Sequence, residues 1–161
     1  MRKPKFSADS KLVRYIDPDE IKRKGRISSA AFMPNPGETH LSVNSMETES
    51  LAEIADYYRH AFADGDKVDA AERTVADFNK AATKAGLNIC YDQVKQRWEW
   101  HEETAHATEA YKHRPVPARP PLPASPSHCG VEFIQSKLDE ITLRKMAEFL
   151  TVQKPRLHRK I

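Results

Sequence analysis

Cysteine is scarce in this chain, with two residues in 161, and glycine is scarcer than usual, with five. Two thiols cannot build a disulfide framework, and a reducing compartment would keep Cys90 and Cys129 as thiols. Both sit in apolar surroundings, where a free cysteine behaves as a small buried hydrophobe. Five glycines with no P-loop or dinucleotide pattern leave little material for a phosphate cradle. No apolar run approaches the roughly 18 residues of a membrane span, so no membrane partner is expected. The basic stretch Met1 to Lys5 runs into Phe6-Ser7-Ala8-Asp9-Ser10 and not into an apolar segment. A secretory signal is therefore not expected, and the expected address is cytoplasmic.

What is present is charge, at 30% of residues, against 39% hydrophobic residues. That balance suits one water-soluble domain with a modest core. The formal charge of +3 is unevenly spread. Residues 1–26 carry nine Lys or Arg against four acids, and 154–161 add four more basic residues, so the stretch between is acidic. Basic ends of about 1–10 and 154–161 are read as solvated and flexible, the second offering only Leu157 and Ile161 for burial. They are also where nucleic acid would bind, if it binds at all.

Along the chain, Leu12 to Ile16 reads as a strand. Asp17 to Gly25 carries a cap, a proline at the first helical position, Glu20 three residues after the cap and a terminal glycine, which predicts a short helix. Arg26 to Phe32 reads as extended, and Leu41 to Asn44 alternates as a second strand. Thr48 or Ser45 opens a helix to about Phe62, in which Leu51, Ile54, Ala55, Tyr58, Ala61 and Phe62 share a face. Val68, Ala71, Val75, Phe78 and Ala82 predict another helix over 67–85.

Leu87 to Tyr91 reads as a strand. Beyond it, Val94, Gln96, Trp98 and Trp100 alternate as a strand would, whereas Val94, Trp98 and Ala105 fit a helix over about 92–112 that the later Ala and Glu content favours. Residues 114–127 hold six prolines between Pro115 and Pro126 and predict a stiff extended connector. Arg114, Pro117 and Pro120 match a basic-plus-PxxP ligand there, but any proline-rich run offers such a match and a rigid tether is the favoured reading. His128 to Ile134 is a further strand, and Ser136 caps a last amphipathic helix over about 137–150.

Few constellations survive a spacing test. His101 and His106 are five residues apart, so on a helix their rings point roughly 140° apart at about 100° per residue, where a metal pair needs a spacing of four. No metal or other cofactor is expected. His128 and Cys129 are neighbours on a strand and face opposite ways, so they make no nucleophile and base. A polar cluster is more suggestive. Arg26, Ser28, Ser29, His40, Ser42 and Asn44 crowd two short segments and could converge on one face, although alternation on a half-exposed sheet also produces such a face. Trp98 and Trp100, in a charged segment, are candidates for an interface with another protein or a second copy of the chain.

Gly25-Arg26-Ile27-Ser28-Ser29, Ala31-Phe32, Pro34 and Leu41-Ser42-Val43, with Pro123, His128-Cys129-Gly130-Val131 and Phe133, resemble a group of small bacterial proteins of unassigned function. The resemblance covers about the first 60 and the last 40 residues and implies a shared fold without an activity. The expected fold is a single α+β domain, a small sheet covered by three or four helices. The expected function is a non-enzymatic, protein-binding accessory, of the immunity or antitoxin kind. Its rivals are nucleic-acid binding through the basic ends, and a small transferase or hydrolase with a pocket by Arg14, Arg26, Ser28, Ser29, His40 and Glu132.

Overall fold

The computed structural model describes residues 6–34, 40–62, 67–85, 111–113, 115–120, 122–132, 140–152 and 156–161. Among the described residues six strands form one antiparallel sheet: β1 (Lys11–Ile16), β2 (His40–Ser45), β3 (Asp69–Thr74), β4 (Tyr111–His113), β5 (His128–Glu132) and β6 (Arg156–His158), in the order β4-β5-β2-β1-β3-β6. Three α-helices accompany it among the described residues: α1 (Leu51–Ala61), α2 (Val75–Lys84) and α3 (Glu140–Val152). The architecture is α+β, as the sequence patterning predicts.

Strand alternation sorts the core into two clusters. Leu12, Ile16, Leu41, Val43, Ala71, Cys129 and Val131 point to one face, where α2 and α3 supply Phe78, Met146 and Leu150. Val13 and Ala70 point to the other, where α1 supplies Ile54, Ala55 and Tyr58. The α1 helix starts at a reciprocal capping box between Ser50 and Glu53, so its cap is neither Thr48 nor Ser45. Of its predicted apolar face Ile54, Ala55 and Tyr58 are buried, Leu51 and Ala61 are half-buried, and Phe62 is 56% exposed.

Four local expectations are corrected. Residues 67–85 are not one helix: Asp69–Thr74 is β3, and α2 begins only at Val75. Full-length pairing with β1 on one side and with β6 on the other overrides the helical spacing. Asp17–Gly25 has the predicted capping box but forms two 3-10 turns, Pro18–Glu20 and Arg23–Gly25, because the backbone is extended at Ile21 and Lys22 between them, and the second turn ends with Lys24 and Gly25 at positive φ. Arg26–Phe32 is not extended throughout: Ser28 caps a 3-10 turn over Ser29–Phe32. The proline-rich stretch doubles back instead of running straight. Val116 pairs with Ser125 and Arg119 with Leu122, so it prolongs the β4–β5 hairpin.

The basic ends are also more ordered than expected. Phe6 is buried in the core, and Ser7 and Ser10 hydrogen-bond in a turn. Residues 156–161 are docked, not a loose tail. Leu157 packs on the core, His158 Nε2 lies 3.0 Å from Glu72 Oε1, and Ile161 and Val68 exchange backbone hydrogen bonds of 2.9 and 3.1 Å. Arg59 donates to the Ile161 carbonyl at 3.0 Å, and Arg159 lies 3.7 Å from Asp69. Of the 92–112 segment only Tyr111 and Lys112 are described, and they belong to β4, a strand and not a helix. No described helix is long and apolar enough to cross a membrane.

Candidate functional site

The sheet is forked at its centre. β1 pairs with β3 over all six residues and β2 pairs with β5 from His40 to Asn44, yet β1 and β2 pair only at Leu12–Ser45 and Val13–Asn44. Past that point the two strands diverge. Arg14 fills the fork: its Nε donates to the Ala31 carbonyl at 2.6 Å, Nη1 to Ser42 at 2.6 Å and Nη2 to Met33 at 3.2 Å. A side-chain cation thus replaces ladder hydrogen bonds and ties β1 to β2 and to the 29–32 turn, since carbonyls left without a donor are costly.

The fork opens into a cleft of about 490 Å³, a volume within the range of small-molecule and side-chain pockets. Arg14, Ser42, Asn44 and His128 line its strand side, Tyr57, Tyr58 and Phe62 come from α1 and its end, and Tyr15, Asp17 and Glu20 come from the end of β1 and the turn after it. Ala30, Met33 and Val116 complete the described lining. The rings form a connected group. Tyr15 stacks on Phe62 with centroids 4.9 Å apart, Tyr57 meets Phe62 edge-on at 6.4 Å, and Tyr15 meets Tyr58 edge-on at 5.7 Å.

Asn44, 3% exposed, joins the layers behind this cleft. Tyr58 donates its hydroxyl to Asn44 Oδ1 at 2.8 Å and lies 3.2 Å from the Val13 carbonyl, while Asn44 Nδ2 donates to Ser125 Oγ at 3.0 Å and Ser127 Oγ at 2.8 Å. One amide therefore links α1, β1, β2 and the proline-rich hairpin. Burial pushes the Tyr58 phenol far above its ordinary value, with the Arg14 charge pulling the other way. Cys129 lies on the opposite face of the sheet, donates to the Ser127 carbonyl at 3.1 Å, and is pushed up by burial to about 12. Neither group is poised as a nucleophile at neutral pH.

Of the residues expected at a site, Ser42 and Asn44 line the cleft, and so does Arg14 from the rival pocket. Arg26, Ser28, Ser29 and His40 are not among its described lining. Arg26 is exposed on the turn, and the Ser28 hydroxyl accepts the Ala30 amide as a cap, so Ala30 and Met33 reach the cleft from that segment instead. His40 shares the strand face of Ser42 but stands opposite Glu132, two residues farther out. Trp98, Trp100, Cys90, His101 and His106 lie outside the described residues. Tyr15, Tyr57, Phe62 and His128 were missing from the expected site. The one available signal was the Tyr57-Tyr58 pair, since consecutive helix positions cannot both face the core.

Among the described residues, no group of three or more His, Cys, Asp or Glu side chains could hold a metal ion. No family model matches the chain, and no curated protein or solved structure does.

Proposed function

We propose that this chain is a non-enzymatic binding protein, an accessory component that engages another protein through the cleft at the β1–β2 fork. The observation that carries this reading is the aromatic group of exposed Phe62 and half-buried Tyr15 and Tyr57, set over a floor whose polar atoms already hold one another. Aromatic rings on a rigid base are what protein interfaces use as anchors. The reactive groups point away from chemistry, because Tyr58 is committed to Asn44 and Cys129 is buried across the sheet. The basic residues of 156–161 are partly engaged by Glu72 and Asp69, which weakens their case as a nucleic-acid arm.

A photo-crosslinking amino acid placed at position 62 in living cells tests the reading. One protein of defined mass should be captured there and not from a control position on α2. That protein, once purified, should bind the native chain and lose about tenfold or more in affinity for Phe62→Ala. A captured protein indifferent to Phe62→Ala, or turnover of a small molecule at the cleft, would overturn it.

A further inference from the structure

The lining of the cleft says what kind of group the partner presents. We propose, resting on the binding role above, that the cleft receives a cationic side chain, Arg or Lys, from a basic segment of the partner.

Charge supports a cation over an anion. The described lining holds two carboxylates, Asp17 and Glu20, against one guanidinium, that of Arg14, and one imidazole, that of His128. The guanidinium points its donors inward, at the carbonyls of Ala31, Ser42 and Met33, and acts as part of the floor. The carboxylates stand on the turn that follows β1. Their capping box uses Asp17 Oδ1 for the Asp19 amide and Glu20 Oε1 for the Asp17 amide. A carboxylate has about four acceptor positions, so each has capacity for a further donor without loss of the cap.

Ring geometry supports the same occupant. Phe62 is stacked on Tyr15 by one face and is 56% exposed. Tyr57 stands at 83° to it, so a face and an edge meet at one corner of the cleft. A cation over a ring face gains from the ring quadrupole, and the long aliphatic stem of Arg or Lys packs on the neighbouring ring. An anionic ligand would instead meet the negative ring faces together with both acids.

The test uses the full-length chain with 13C-labelled Phe and Tyr, titrated separately with hexa-arginine peptide and with AMP while the ring resonances are followed by NMR. Hexa-arginine should shift the Tyr15, Tyr57 and Phe62 signals saturably. Phe62→Ala should weaken that binding about fivefold or more. Asp17→Asn, which retains a capping oxygen, should weaken it further and flatten its salt dependence. The melting temperature of Phe62→Ala should fall only slightly, since the ring is more than half exposed and what it loses is chiefly the stack on Tyr15. Ring shifts with AMP in place of hexa-arginine, or hexa-arginine binding that ignores Phe62→Ala and Asp17→Asn, would overturn the inference. A partner captured at position 62 and sensitive to Phe62→Ala, together with no response to hexa-arginine, would sink the cation alone and leave the binding role standing.

Discussion

The hydroxyl of Tyr58 on α1 and the amide oxygen of Asn44 on β2 meet at 2.8 Å in a buried position, and through that contact a helix on one face of the sheet is keyed to a hairpin at its edge. Tyr58→Phe should cost about 1 to 2 kcal/mol, because Asn44 Oδ1 is left unserved where water does not reach. Asn44→Ala should cost more, since it takes the amide donor from the Ser125 and Ser127 hydroxyls and leaves Tyr58 only the longer contact to the Val13 carbonyl. Urea unfolding of both single variants and of the double variant checks this. The cycle should give a coupling energy clearly different from zero.

Arg14→Met keeps an unbranched apolar stem and removes the cation from the fork. Three carbonyls would lose a charged donor, and we expect a loss of about 3 kcal/mol in urea unfolding. Arg14→Lys should not restore stability, because one ammonium cannot repeat the planar fork that reaches Ala31, Ser42 and Met33 at once.

Cys129 sets an alkaline limit. Its pKa in the fold is about 12, whereas an unfolded thiol titrates at about 8.5. Burial therefore favours the neutral form. The stability this contributes is fully present below about pH 8.5 and is lost progressively as pH rises toward 12. Tyr58, also raised by burial, adds in the same direction above its ordinary value. Unfolding free energy followed from pH 8 to 11 should fall, and Cys129→Ala should fall less steeply. In a Cys90→Ser background, native Cys129 should also resist a thiol reagent that labels the urea-unfolded chain at once.

Removal of residues 156–161 should lower the melting temperature by several degrees. It takes away the edge strand, uncovers Val68, and leaves Glu72 and Asp69 in nearly buried positions without His158 and Arg159. His158→Gln, which keeps a donor for Glu72, should cost much less than the deletion. Thermal melts of the two variants separate the strand from the His158–Glu72 contact.

The local signals that were legible are those whose cause lies within a few residues. The α1 helix was readable because Ile54, Ala55 and Tyr58 repeat at helical spacing, although its Ser50–Glu53 cap is not the Thr48 or Ser45 that the pattern suggested. The strands β1, β2 and β5 alternate or carry β-branched residues, and the two-sided placement of Ser42 against Val43 followed from that alternation. The strand β3 was not legible. Asp-Ala-Ala-Glu-Arg-Thr has weak strand preference, and its polar residues are buried only because distant groups serve them: Glu72 by His158, Arg73 by the Leu150 carbonyl and Asp69 by the Lys160 amide. The site divides the same way. Strand alternation located Ser42 and Asn44, but that Arg14 would lie in the gap between two parting strands depends on where β2 leaves β1, and no local pattern records it.

The strand order also implies a sequence of assembly. The three central strands and the α1 and α2 helices all come from residues 11–84, whereas the outer strands come from 111–158 and attach at opposite edges. Joining β6 to β3 closes a loop of about 80 residues, an entropic cost that must be met before any contact rewards it. The central strands should therefore form first and hold their amide protons longest, and each flank should open and reclose by itself as a separate cooperative unit. A perturbation on the β6 side need not reach the fork, because Arg14 anchors β2 to β1 from within the part of the molecule that folds earliest.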